Sequence, residues 1–234
     1  SSVLPCKTLF GNGGAYSKVP AGGTIVVKGG VYEEGFVNDG GGTTLRTKPC
    51  TIQAAHNEQV WFDGSVAVTG WAQAGSVWTK GGWTFNAGNT SGFVNDKPTT
   101  TFYFDQCFID GVPQTRVAGT PTAGQFSVNH TTGVITIGSN PAGKEVRMSQ
   151  FRTLMIASAK IDLLSIGVRR YANGARSNNT AAGATNGYEC VYYGGSSAGS
   201  RIINCAFVDH AMCGLSIAKA GFIVEDNVFV RAGR

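Results

Sequence analysis

The sequence has little of what helical, membrane-spanning or cofactor-binding proteins depend on. Only three methionines and 14% charged residues occur in 234, which argues against a helical bundle with charged outer faces. No apolar run approaches the roughly 20 residues that cross a bilayer, so no membrane span is expected. Three histidines and no CxxC pair leave a structural zinc site without ligands. No HExxH, phosphate loop, dense acidic calcium loop or Ser-His-Asp order occurs, so neither a metal nor a cofactor is expected. The basic residues are scattered, with Arg169-Arg170 as the one adjacent pair. Nucleic-acid surfaces concentrate their charge, so no nucleic-acid partner is expected. A net charge of +5 reads first as ordinary solubility charge and also suits an acidic polysaccharide.

What is present is glycine, 34 residues of it, with 42% apolar residues. That composition suits short strands joined by tight turns where φ is positive, around a filled core. The last third of the chain aligns with itself. Leu163, Ile166 and Val168, then Ile202, Cys205 and Phe207, then Val224, Asn227 and Phe229 share one internal spacing. The second and third triplets lie 22 residues apart and the first two 39 apart. A strand-bearing repeat near 22 residues predicts a coiled solenoid, whose turns must stack to bury their apolar faces. Ala172 to Asn186 has a loop's composition and accounts for the longer interval. The expected fold is therefore all-β, a parallel β-helix.

The six cysteines are Cys6, Cys50, Cys107, Cys190, Cys205 and Cys213. An even count in a glycine- and threonine-rich β protein suggests an oxidising compartment. Cys190 and Cys213 lie about one turn apart and are a candidate disulfide, as are Cys6 and Cys50 at the amino-terminal cap. Cys205 takes an inward repeat position and reads as a buried thiol. Ser1-Ser2 reads as a mature start after processing, which fits a secreted or cell-surface protein. Asn89, Asn129 and Asn178 are sequons that matter only in a eukaryotic secretory route. Val228-Phe229-Val230-Arg231 reads as a strand in mid-pattern, so a further fragment or another chain is expected to cover the last turn.

Three segments are expected. Residues 1–68 form the cap and first turns, with strands at Thr24–Lys28, Thr51–Ala54 and Val60–Gly64. Residues 69–150 form an inserted antiparallel β unit, with a strand at Phe102–Ile109 and a hairpin around His130–Gly133. Residues 151–234 resume the solenoid.

VPAGGTIVVKGGVYEEG followed by CTIQAAHNEQVWFDGS resembles the opening turns of pectate-lyase-like right-handed parallel β-helix proteins. VTGWAQAGSVW followed by FIDGVPQTRVA resembles the subset, including β-helix glycosidases, in which a small β unit interrupts the helix. NCAFVDHAMCGLSIAKAGFIVEDNVFVRAG looks like generic repeats of that fold. The resemblance implies a right-handed helix and an extracellular carbohydrate-active role, either glycoside hydrolase or polysaccharide lyase. It also allows a non-catalytic surface, adhesin or fibre protein, because one fold hosts all of these. In such relatives the catalytic groups come from later, central turns.

Stacking the repeats places Arg170, Asp209 and Arg231 in one column and Tyr171, His210 and Ala232 in the next, with neighbouring turns about 4.8 Å apart. In a lyase, Asp209 or His210 would move a proton while Arg170 or Arg231 grips a uronate carboxylate. The same column also reads as an ion-pair ladder worth about 0–1 kcal/mol per exposed pair. A hydrolase needs two carboxylates. Asp209 with Asp226 is the available pair, since Glu225 and its neighbour Asp226 face opposite ways. Tyr171, Asp226 and Tyr193 are candidate substrate-binding residues, with Tyr188 and Tyr192 near the long loop; only one of Tyr192 and Tyr193 can face outward. Asn227 is expected to point inward and satisfy backbone groups at a corner. Trp71, Trp78 and Trp83 read either as a sugar-stacking platform or as the core of the inserted unit. His56 and His130 are expected to be solvent-exposed. The expected partner is a polysaccharide or other glycan.

Overall fold

The computed structural model describes residues 6–11, 13–36, 45–84, 93–94, 101–102, 105–173, 190–211 and 213–232. Ser1-Ser2, Asn89, Asn178, Tyr188 and residues 174–186 of the expected loop lie outside these. The described chain is almost entirely β. A single-turn helix, α1 (Ala15–Lys18), precedes strands β1 (Thr24–Val27), β2 (Gly30–Glu33), β3 (Leu45–Arg46), β4 (Cys50–Ala54) and β5 (Val60–Asp63). There follow β6 (Ser65–Ala67), β7 (Ala72–Ala74), β8 (Val77–Lys80), β9 (Phe93–Val94), β10 (Thr101–Phe102) and β11 (Cys107–Ile109). Next come β12 (Val112–Pro113), β13 (Thr115–Arg116), β14 (Gln125–Asn129), β15 (Val134–Ile137) and β16 (Val146–Ser149). The remainder comprises β17 (Met155–Ala157), β18 (Ile161–Leu164), β19 (Gly167–Arg169), β20 (Val191–Tyr193) and β21 (Arg201–Ile203), then β22 (Ala206–Val208), β23 (Leu215–Ile217), β24 (Ile223–Glu225) and β25 (Val228–Val230). No described helix is long and apolar enough to cross a membrane.

Three sheets are parallel throughout. The first runs β1-β4-β18-β21-β24, the second β2-β5-β19-β22-β25 and the third β3-β17-β20-β23. In chain order the strands visit first, second and third sheet in turn, and each visit adds one strand to the growing edge. The register matches the sequence repeat: Leu163, Ile202 and Val224 are partners in the first sheet, and Val168, Phe207 and Phe229 in the second. One core lies between the three sheets, where Ile52, Phe62, Ile161, Val168, Ile202 and Phe207 are fully buried. Each such side chain contributes about 1.5–3 kcal/mol on burial.

Two corners repeat with the strands. Ser165, Asn204 and Asp226 join first to second sheet at φ of 58°, 54° and 55°, and Arg170, Asp209 and Arg231 follow the second sheet at 60°, 56° and 51°. Left-handed backbone is uncommon outside glycine, and for arginine it persists only where neighbouring contacts hold it. Asn227 sits inside the first corner as expected. Its Oδ1 accepts from the Cys205 backbone N–H at 2.8 Å and its Nδ2 donates to the Ile202 carbonyl at 2.7 Å.

Between β5 and β17 the chain builds mainly antiparallel pairings. One sheet runs β12-β11-β16-β6 and another β13-β14-β15-β8-β7, with β13–β14 its one parallel pair. The hairpin expected around His130–Gly133 is β14–β15. The single strand expected over Phe102–Ile109 is not continuous: Asp105 and Gln106 belong to no strand, and Asp105 is buried. Trp71, Trp78 and Trp83 are partly buried and pack against a second core of Val68, Cys107, Phe126, Ile135 and Met148.

Candidate functional site

The corner after the second sheet brings the expected column together only in part. Arg231 grips Asp209 in bidentate fashion, Nε to Oδ1 at 2.5 Å and Nη2 to Oδ2 at 2.9 Å. Arg170 turns the other way. Its Nη1 meets Asp63 Oδ2 at 3.4 Å, and its guanidinium lies 4.8 Å from the Phe108 ring centre. Burial lowers the Arg170 pKa and the Asp63 charge opposes the shift. The ladder therefore closes between Asp209 and Arg231, while Arg170 joins a different aspartate.

The next column is interior. His210 is 0% exposed, stacked 6.1 Å from Tyr171 with Phe207 tilted against it at 6.3 Å, and among the described residues neither ring nitrogen makes a hydrogen bond of ordinary geometry. Burial pushes its pKa down to about 4, against the Val168 backbone and the Asp209 charge. A ring so placed cannot reach a substrate from the surface as a proton carrier. Tyr171 donates its hydroxyl to the Glu34 carbonyl, and Tyr193 to that of Ile161 at 2.9 Å. Both are fully buried and Tyr192 is buried too, so none offers a face to a sugar. Asp226 is exposed, but at the first corner. Asp209 lies at the corner that follows the second sheet, so the two acids belong to different corners, and Asp209 is taken up by Arg231.

No disulfide joins any pair of described cysteines. Cys190 donates its backbone N–H to the Cys213 carbonyl at 3.1 Å, so the expected pair are neighbours without a covalent link. Cys50 belongs to the core, where burial raises its thiol to about 11, while Cys6 is only partly buried. Cys205 is buried as expected, its thiol 3.4 Å from the Leu163 carbonyl.

The most highly charged locus was not singled out from sequence. Asp63, at the end of β5, is 0% exposed. Its carboxylate accepts from the Ser65 N–H at 2.9 Å, Ser65 Oγ at 2.6 Å and Arg169 Nε at 2.7 Å, with Arg170 beyond. Arg147 arrives from β16, donating to Ser65 Oγ and the Ser65 carbonyl at 2.9 and 2.8 Å. It also donates to Glu33 at 2.5 Å and Glu145 at 2.9 Å. The centre sits where the second parallel sheet passes into the antiparallel segment. Gly64 permits this, since a Cβ there would lie 2.6 Å from the Tyr171 ring. The one sequence signal is the acid within the expected strand Val60-Trp61-Phe62-Asp63-Gly64. Its arginines lie more than 80 residues away in sequence, beyond the reach of local pattern.

His130 is a further correction to the sequence reading. It is mostly buried, with Nε2 2.9 Å from Asp105 Oδ2, and Arg116 Nε lies 3.3 Å from the same oxygen. Elsewhere, a cavity of about 510 Å³ opens between the amino-terminal segment and β1–β2, lined by Leu9, Val19, Ile25, Val27 and Tyr32 among others. Among the described residues no cluster of three or more His, Cys, Asp or Glu could hold a metal ion.

No protein-family model matches this chain, and no curated protein matches it. Two solved structures are similar to it. A complex of XylC with xylose superposes with a TM-score of 0.52 at 15% identity, covering 84% of this chain and 38% of that one. A glycoside hydrolase superposes with a TM-score of 0.55 at 10% identity, covering 91% of this chain and 66% of that one. The chain thus spans less than two thirds of either structure's length. At these identities the likeness is one of fold.

Proposed function

We propose that this chain is part of an extracellular carbohydrate-active protein of the glycoside hydrolase type, built on a right-handed parallel β-helix. Residues 1–68 and 151–234 supply its turns, and residues 69–150 are an inserted β unit. The cyclic visiting of three parallel sheets supports the helical reading, because each cycle buries its apolar row only against the next. The observation that carries the function is the likeness over most of this chain to XylC with xylose and to a glycoside hydrolase. The burial of His210 and the engagement of Asp209 by Arg231 favour hydrolysis over the lyase alternative, which needs an accessible base beside a free cation.

The test is incubation of the protein with neutral and uronate polysaccharides, following reducing ends, ultraviolet absorbance of unsaturated uronates, and retention on each glycan. Reducing ends without new absorbance, or retention alone, support the reading. Unsaturated products move the protein to the lyases. The absence of both turnover and retention on every glycan refutes a carbohydrate role.

A further inference from the structure

We propose that Trp61, Glu33, Glu145 and Arg169 form a subsite for a neutral pyranoside on the outer face of the second parallel sheet; this rests on the carbohydrate-active reading and narrows its substrate class. Trp61 on β5 is paired with Val31 on one side and Gly167 on the other. Its indole covers Gly167, where a Cβ would fall 2.5 Å from the ring carbons. The glycine lets the ring lie over the next strand. Trp61 stays partly exposed, beside the exposed Val31. An aromatic face held on a sheet surface accepts the apolar C–H face of a sugar ring.

Polar groups share this face by register: Glu33 follows Val31 by two residues, Arg169 follows Gly167 by two, and Glu145 joins them through Arg147. The side chains of Glu33 and Glu145 are 44% and 54% exposed, yet each anchors Oε1 on the buried Arg147. Their Oε2 atoms accept no hydrogen bond from the described residues. Arg169 stands over the Trp61 ring, 5.1 Å from its centre, and spends Nε on Asp63; among the described residues its two Nη groups have no acceptor. Because Ser65 and Asp63 hold the arginines, these donors and acceptors are preorganised and lose little freedom when a ligand binds. Asp63, Glu33 and Glu145 balance Arg147, Arg169 and Arg170 in formal charge. A uronate would bring a further carboxylate beside two that are already there. Neutral hydroxyls can donate to the glutamates and accept from Arg169.

The experiment is calorimetric titration of the full chain with xylo-, manno- and gluco-oligosaccharides and with oligouronates, for wild type, Trp61→Ala and Glu145→Gln. Glu145 is a surface group, so its variant remains informative if Trp61→Ala fails to fold by circular dichroism. The expected result is binding of a neutral oligosaccharide, weakened at least ten-fold by Trp61→Ala and several-fold by Glu145→Gln. Undiminished binding in both variants overturns the subsite and leaves the carbohydrate-active reading standing. A preference for oligouronates overturns the neutral assignment, and no binding to any glycan overturns both.

Discussion

His210 carries a pH dependence that its burial dictates. In the unfolded chain its imidazole titrates near 6.5, whereas in the fold its pKa is about 4. Between these values the unfolded state binds the extra proton, so stability is fully present above about pH 6.5 and declines as pH falls toward 4. The loss attributable to this residue is roughly 3 kcal/mol. Urea denaturation across that range should show the decline in wild type and a shallower one in His210→Phe, which keeps a ring between Tyr171 and Phe207. Equal slopes for the two proteins would show that some other group sets the acid sensitivity.

At the scale of elements, the joint between the second parallel sheet and the antiparallel segment depends on Asp63. Three sheet strands and one antiparallel strand deliver Glu33, Asp63, Arg169 and Arg147 to it. Removing one member of a buried ion cluster leaves partners charged and uncompensated, at a cost of about 3–5 kcal/mol. Asp63→Ala should lower the unfolding free energy by that amount. A cost below 1 kcal/mol would mean that Glu33 and water take over its role. The corners are a second element-scale device: stacked left-handed residues set the angle between sheets, and Asn227 supplies the hydrogen bonds that the bend leaves open.

At the scale of the molecule, β24 and β25 lie at the outer edges of two sheets and present Ile223, Val224, Val228 and Phe229, the last two 54% and 55% exposed. Apolar edge strands are templates for pairing with further β structure. Sedimentation velocity of this polypeptide should therefore show concentration-dependent association that Phe229→Lys suppresses. A monomer at all concentrations would count against the assembling-scaffold alternative, in which another chain covers this edge.

Much of the architecture was legible in the chain, because strand repeats and inward positions are local patterns of apolar spacing. The 22-residue interval placed Ile202 against Val224 and Phe207 against Phe229, and it placed Asn227 inside a corner. Aligned columns also brought Arg231 to Asp209, one repeat away. Tertiary structure alone decided which polar groups meet from distant segments and which way a corner residue turns. Arg147 reaches Asp63 across 84 residues, Arg170 leaves its column for the same carboxylate, and His210 is covered by Tyr171 and Phe207. The physical reason is range: apolar periodicity acts between neighbours along the chain, whereas a buried charge takes whatever partner the packed sheets bring within hydrogen-bonding distance.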